Sequence, residues 1–386
     1  MRILHTSDWH LGRSFHGQGM LAHQEAFVDH LIEVVESERV DLVLVSGDVY
    51  DRALPPVDAV ALAEEALVRL AGSRARVVLT SGNHDSHQRL GFAARLIDAA
   101  GVHVRTRARD VGTPVLLEDD HGPVAVHALP YLDPDHLREP WSLPLRSHEA
   151  VIGEAMRRVR ADLQQRHGTR SVVMAHAFVA GGEPSDSERD ISVGGVQLVP
   201  AGLFDGVDYT ALGHLHGRHE LAPALRYSGS PLAYSFSEAT HRKGSWLVQL
   251  DAEGFAGAEF VDAPVPRPLA RLRGRLDELL ADPRHAAAER AWVQVVLTDP
   301  QRPAQAKLRL ERRFPHLLSL GFEPEGRRPA GVPAARTGAG LTDHEVTLEF
   351  VRELRERPAD EVESALLRDA CDACCDDPDL DRGVVA

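Results

Sequence analysis

The stretch Leu42-Val-Leu-Val-Ser-Gly-Asp-Val-Tyr-Asp51 decides the fold. Four consecutive apolar residues have no exposed alternate position, so the segment reads as a strand buried on both faces and not as the half-wet strand of an open antiparallel sheet. Gly47-Asp48 then ends it with a flexible residue and a carboxylate. Working outward, the same grammar recurs. Ile3-Leu4 precedes Asp8-Trp9-His10, and Val77-Val78-Leu79 precedes Gly82-Asn83-His84-Asp85. Val172-Val173-Met174 precedes His176, Tyr209–Leu212 precedes Gly213-His214-Leu215-His216, and Val124-Ala125-Val126 forms one more such run. Helical spacing falls between some of them, at Phe27, Leu31 and Val35 and again at Val57, Val60, Leu67 and Leu70. Alternating strand and helix with near-continuous apolar strands predicts an α/β fold whose sheet is covered on both sides. Polar residues just past the strand ends then collect along one edge.

What collects there is chemically coherent. Asp8, His10, Asp48, Asn83, His176, His214 and His216 supply carboxylate oxygens, an amide oxygen and imidazoles, without a thiolate. An isolated histidine is usually a surface or satisfied core residue, but five such motifs on one edge are hard to assign to packing. In Asp8-x-His10 and His214-x-His216, an i, i+2 spacing on extended backbone sends both side chains to one side. The mix suits two divalent ions such as Mn²⁺ or Fe²⁺ better than Ca²⁺, which prefers all-oxygen sites. Asp48 is the expected bridge between ions about 3.5–4 Å apart. Gly47 and Gly82 are expected to turn the backbone sharply, aiming Asp48 and Asn83 inward.

The chain has 386 residues, 43% hydrophobic and 26% charged, enough for two or three units with real cores. No apolar run approaches the roughly 20 residues of a membrane span, and Met1-Arg2 leads into a strand and not into a signal peptide. The cysteines, Cys371, Cys374 and Cys375, crowd near the C-terminus, which argues against a disulfide-stapled fold and for a cytoplasmic setting. Net charge is −15, unevenly spread: residues 341–386 carry 14 acidic and 5 basic side chains, residues 302–336 carry 3 and 8. An acidic total therefore does not exclude a polyanionic substrate, which responds to the local field.

The prolines of Asp262-Ala-Pro-Val-Pro-Arg-Pro268 mark a boundary. The expected organisation is a catalytic domain over 1–263, a smaller α+β domain over 264–326, a Gly/Pro/Arg/Ala linker over 327–340 and a helical tail over 341–386. In the tail, Thr342-Asp-His-Glu345 reads as a capping box opening a helix with Val346, Phe350 and Leu354 on one face. A second helix follows with Val362, Leu366 and Ala370. Two amphipathic helices with no core of their own read as a docking element for another chain.

In their order and spacing, D-x-H, GD, GNH, H and GH-x-H resemble the calcineurin-like metallophosphoesterases. Within that superfamily, MRILHTSDWHLG, GDVYDRALPP, GNHDS, ALGHLH and YSGSPLAYSFSE resemble the SbcD family of nuclease subunits, most strongly over residues 1–240. The resemblance implies a β-sandwich flanked by helices, a smaller capping domain that helps position DNA, and a helical tail. It places one ion on Asp8, His10, Asp48 and His216, and the other on Asp48, Asn83, His176 and His214. It gives His84 no ligand role but a place beside the scissile phosphate, stabilising the transition state and protonating the leaving oxygen. Asp51 stands where phosphoprotein phosphatases carry the carboxylate partner of that histidine. Archaeal relatives have a histidine there, so Asp51 as the orienter of His84 is this chain's own expectation. The resemblance further implies Mn²⁺ as the ion (Fe²⁺ or Mg²⁺ as alternatives), 3′–5′ exonuclease and endonuclease action on double-stranded DNA ends and hairpins, homodimerisation, and an SbcC-type coiled-coil ATPase as partner. ATP dependence would come from that partner, since no G-x-x-x-x-G-K-[ST] loop occurs here.

Two other readings compete: a phosphodiesterase or protein phosphatase with the same metal set, and a non-catalytic scaffold, which the complete ligand set opposes. Simpler readings apply to several neighbours. Asp85 is expected to cap the following helix, Trp9 to pack against the sheet edge, and His5 to be structural. Arg52 is expected to be an ordinary exposed arginine, and Arg309, Arg312 and Arg313 a solvated helix face. The three cysteines are read as reduced thiols without zinc.

Overall fold

The computed structural model describes residues 1–188, 198–325, 342–355 and 357–375, so the expected linker over 327–340 lies outside the described residues. They form two compact units, Met1–Thr298 with Arg302–Phe322, and Asp299–Gln301 with Glu323–Ala386.

The first unit is built on two six-stranded sheets. One has the order Gly254–Asp262, Gly244–Asp251, Arg2–Thr6, Leu42–Ser46, Arg76–Thr80, Val102–Arg105. The other runs His219–Ala222, Leu225–Tyr227, Tyr209–Gly213, Arg170–His176, Gly122–Ala128, Val115–Asp119. Each centre is parallel; antiparallel pairings flank the first sheet on one side only and the second sheet at both edges. Alternate residues of one strand enter different cores, which is why the apolar runs are continuous. Ile3, Leu42, Leu44 and Val78 face Val126, Val172, Met174 and Ala211 of the opposing sheet. Leu4, Val43, Val45, Val77 and Leu79 pack on helices Leu21–Ser37 and Val57–Gly72. The outer face of the second sheet packs on helix His148–Leu163 through Val151, Ile152, Ala155, Met156 and Val159. The expected covering of both faces thus holds, as a sandwich between helical layers.

The face of helix Val57–Gly72 differs from its expected one. Val57 is 86% exposed and Val60 42%, while Ala59, Ala63, Ala66 and Leu70 are buried. Small side chains let this helix lie close against its neighbours, so the close-packed face is the alanine face.

Polar staples join the sheets inside the sandwich. His5 is fully buried, with Nε2 3.1 Å from the Leu212 carbonyl oxygen and Nδ1 2.9 Å from the Tyr209 hydroxyl. The carbonyl can only accept, so Nε2 carries the proton and the tyrosine hydroxyl donates to Nδ1. Burial holds this imidazole down at about 3. The structural role expected of His5 is met here. Trp9 is likewise buried, its indole N–H donating to Thr6 Oγ1 at 3.0 Å and its ring edge-on to Phe27.

A small parallel sheet, Leu269–Gly274, Trp292–Leu297 and Leu317–Phe322, has its own core with helices Leu276–Ala281 and Ala306–Arg313. Its buried Trp292 leaves that core to join Phe15, Met20, Leu232, Tyr234 and Phe236 of the sandwich. The basic residues of helix Ala306–Arg313 are partly committed. Arg309 pairs with Asp277, and Arg313 with Glu289 at 3.0 Å and with the carbonyls of Leu279 and Asp282.

In the second unit, helices Asp343–Arg355 and Glu361–Cys375 each open on a reciprocal cap. The Thr342 amide donates to Glu345 Oε2 at 2.7 Å and the Glu345 amide to Thr342 Oγ1 at 3.3 Å. Asp360 and Glu363 repeat the arrangement. Val346, Phe350, Val362 and Leu366 remain 46–71% exposed.

Candidate metal centre

The seven residues singled out above lie at or just past strand ends on one edge of the sandwich, His176 as the last residue of its strand. Asp8, His10, Asp48, His176, His214 and His216 are buried and Asn83 is half-buried. Ligand-type atoms converge within 4.8 Å of one another in three sets: Asp8, His10 and His216; Asp8, Asp48 and His176; and His10, Asp48 and His84. Asn83 Oδ1 joins at 2.9 Å from His176 Nε2. His214 stands outside those three sets, its ring centre 5.4 Å from that of His176, while its amide donates to Asp8 at 3.0 Å.

The backbone brings them together differently from the expected pleat. Asp8 (φ 54°), His10 (φ 46°), Asp48 (φ 50°) and His214 (φ 106°) all hold positive φ, which L side chains adopt at a cost. The i, i+2 pairs therefore converge through kinked loops beyond the strand ends and not through extended backbone. Local strain concentrated at one spot is a mark of a functional site. Of the two glycines, Gly47 makes the turn (φ 88°), and a Cβ there would overlap the His176 ring. Gly82 matters for space instead, since a Cβ on it would strike the Asp48 carboxylate.

Proton bookkeeping indicates what the site holds. His176 Nδ1 donates to the Ser46 carbonyl oxygen at 3.0 Å, so its Nε2 faces Asn83 Oδ1 and, at 3.4 Å, Asp48 Oδ2. The Ser187 hydroxyl, 2.6 Å from Glu238 Oε1, donates to that carboxylate and accepts from His216 Nδ1 at 2.6 Å. This leaves His216 Nε2 facing His10 Nε2 at 2.9 Å. Lone pairs thus converge with too few protons between them, beside two buried carboxylates. Divalent cations satisfy that set, and the N/O donors without sulfur fit the group expected.

Electrostatics agree. Burial pushes the Asp8 carboxyl up to about 6, helped by Asp48 and opposed by His176 and His216. Burial would also raise Asp48, but the facing His176, with His10, holds it well below the usual carboxylate range. Burial would lower His176, yet Asp48 lifts it to about 9. His10 and His214 are held well below their ordinary value by burial. Without metal the negative site recruits protons; a metal ion displaces them.

His84 and Asp51 meet, but through the main chain: His84 Nδ1 donates to the Asp51 carbonyl oxygen at 2.6 Å. The Asp51 carboxylate instead lies 3.6 Å from Arg13 Nε, 3.5 Å from Arg52 and 3.8 Å from His10 Nδ1. In this structure the His84 ring is therefore held by the Asp51 main chain, while the Asp51 carboxylate faces Arg13, Arg52 and His10. Arg52 is 64% exposed on its side chain, as expected.

Asp85 is not a helix cap; Ser86 caps the short helix His87–Leu90. The Asp85 carboxylate accepts the amides of Val49 (3.1 Å), Tyr50 (2.9 Å) and Gly82 (2.9 Å), tying together the loops that carry Asp48 and Asn83. Sequence reading also missed Ser187, Glu188, Glu238 and Lys243, which surround His216. Burial alone would raise Glu238, but the Lys243 ammonium against it holds its carboxyl well below the usual range.

A family model for calcineurin-like phosphoesterases matches residues 1–218. A second model, the SbcD carboxyl-terminal domain, described as the Type 5 capsule protein repressor C-terminal domain, matches residues 265–354. Among solved structures, TT1561 of Thermus thermophilus aligns at 14% identity over 68% of this chain and 98% of that one, with a TM-score of 0.40. GAP50, the anchor in the inner membrane complex of Plasmodium, aligns at 12% identity over 68% and 84%, with a TM-score of 0.42. No helix among the described residues is long and apolar enough to cross a membrane. With a site of buried carboxylates and imidazoles at the sandwich edge, and more than half of its length matched by the first model, this chain belongs to the calcineurin-like phosphoesterases, metal-dependent phosphodiesterases, and carries after that domain a match to the SbcD carboxyl-terminal domain.

Proposed function

We propose that this chain is the two-metal DNA nuclease subunit of an SbcCD-type complex, cutting double-stranded ends and hairpins with Mn²⁺ in DNA repair and recombination. The convergence of acceptor lone pairs at one edge of the sandwich, from Asp8, His10, Asp48 and Asn83 of one sheet and His176 and His216 of the other, carries the phosphodiesterase part. The match over residues 265–354 supports the SbcD part. Asp8, His10, Asp48 and His216 would hold one ion, and Asp48, Asn83, His176 and His214 the other. Bound divalent ions supply Lewis-acid polarisation of a phosphate oxygen and a water of lowered pKa.

The chain's own residues do the rest. With His84 Nδ1–H spent on the Asp51 carbonyl, a proton for the leaving oxygen travels through Nε2. Arg13, fixed by the Ser187 carbonyl at 2.8 Å and lying over the Tyr234 ring, keeps a cation beside the site for a phosphate backbone. Ser46, through its carbonyl, and Ser187, through its hydroxyl, lock the ligating tautomers of His176 and His216. The small sheet and the tail fit a capping domain and a docking element for an SbcC-type ATPase. Homodimerisation within a heterotetramer and a cytoplasmic, nucleoid-associated place complete the proposal.

The test is cleavage by the purified chain with Mn²⁺, with and without the ATPase, of linear duplex DNA, hairpin DNA and bis-p-nitrophenyl phosphate. Nucleolytic loss of duplex ends and hairpins is expected. Hydrolysis of the small ester but never of DNA, even with the ATPase present, overturns the nuclease assignment in favour of another phosphoesterase.

A further inference from the structure

His216 is tied at every hydrogen-bonding group except Nε2. Its amide donates to Glu188 Oε1 at 2.7 Å, and its carbonyl accepts from Lys243 Nζ at 2.8 Å. Its Nδ1 meets Ser187 Oγ at 2.6 Å, and that hydroxyl is 2.6 Å from Glu238 Oε1. The direct separation of Glu238 Oε1 from His216 Nδ1 is 3.7 Å, so the hydroxyl is the link between them. Glu238 is 1% exposed and Lys243 7%, and the ammonium also donates to Ser230 Oγ at 2.9 Å. A buried ion pair is a poor stabiliser compared with apolar packing of the same volume. Here both members converge on one residue, Lys243 on the His216 carbonyl and Glu238, through Ser187, on its imidazole, which points to a purpose other than stability.

We infer that Ser187 and Glu238 are positioning residues, a carboxylate–hydroxyl relay that fixes the tautomer and ring angle of His216 so that Nε2 alone is offered to a divalent cation. The relay rests on the reading of His216 as a metal ligand. It gives the segment Glu183–Glu188 a task, since that segment delivers both the hydroxyl and the carboxylate that hold the residue. Metal-bound histidines generally depend on such outer partners, whose loss weakens metal binding about 10–100-fold.

The experiment is Mn²⁺ titration calorimetry on the full chain, with the visible spectrum of the Co²⁺-loaded protein and the melting temperature of the metal-free protein. Ser187→Ala should weaken one class of Mn²⁺ site about 10–100-fold and alter the Co²⁺ spectrum, while the metal-free protein still melts in one cooperative transition. Ser187→Thr, which keeps a hydroxyl, should restore both. The double variant Glu238→Gln with Lys243→Met removes both charges together and should weaken Mn²⁺ in the same way; if it fails to fold, Ser187→Ala decides. Wild-type affinity and an unchanged spectrum in Ser187→Ala overturn the relay alone. A wild-type chain that takes up neither Mn²⁺ nor Co²⁺ overturns the metal reading and the relay with it.

Discussion

The Nδ1 of His84 donates to the carbonyl oxygen of Asp51 at 2.6 Å, so the ring is oriented by main chain that no side-chain replacement removes. Asp51→Asn is therefore expected to cost less than about tenfold in kcat. His84→Gln should lose about 10²–10⁴-fold, the usual worth of a positioned proton donor. Steady-state kinetics on bis-p-nitrophenyl phosphate, with metal content measured in parallel, separates the two. A loss in Asp51→Asn as deep as that of His84→Gln would restore the carboxylate as the orienter.

Asp85 fastens three amides from two loops. Removing it strands those donors at about 1 kcal/mol or more each. Asp85→Ala should thus lower stability by about 3 kcal/mol in urea denaturation. Its cleavage rate should fall too, because Asp48 and Asn83 lose their common anchor. Asp85→Asn, keeping one acceptor, should fall between.

His5 makes stability pH-dependent in one direction. Its folded value of about 3 lies below the ordinary 6.5, so the unfolded chain binds this proton first. Its contribution is complete above about pH 6.5 and is lost as pH falls toward 3, at up to about 1.4 kcal/mol per pH unit. Urea midpoints at pH 7.5, 5.5 and 4.5 should decline in the wild type and decline less steeply in His5→Gln. Parallel declines would remove His5 as the cause.

Deleting residues 341–386 should spare Mn²⁺-dependent hydrolysis of the small ester, since every candidate ligand lies in the first unit. Co-purification with the ATPase should be lost. A truncated chain that still captures the ATPase would place the docking surface elsewhere.

The strands themselves and the side of them where the site lies were legible because each ligand type stands next to an apolar run. That pairing survives without knowledge of the loops. The loop conformations were not legible: nothing in Asp8-Trp-His10 announces two residues at positive φ, a conformation imposed by the surrounding packing. The helix face at Val57–Gly72 was misjudged because larger apolar residues outweigh alanine in any periodicity, whereas close approach favours the smaller side chain. Asp85 was read through its neighbour in sequence, yet two of its three donors are 35 and 36 residues away. Ser187, Glu238 and Lys243 are ordinary polar residues singly; only the fold makes them a cluster.

Trp292 sits in an aromatic seat whose walls, Phe15 and Phe236, are rooted in the segments following His10 and preceding Glu238. Severing the chain at the prolines near Pro264 would leave that seat open to water, a greasy notch a few residues from the chemistry. An isolated fragment ending there should be sticky and sluggish, so the two lobes are best expressed, purified and assayed as one piece.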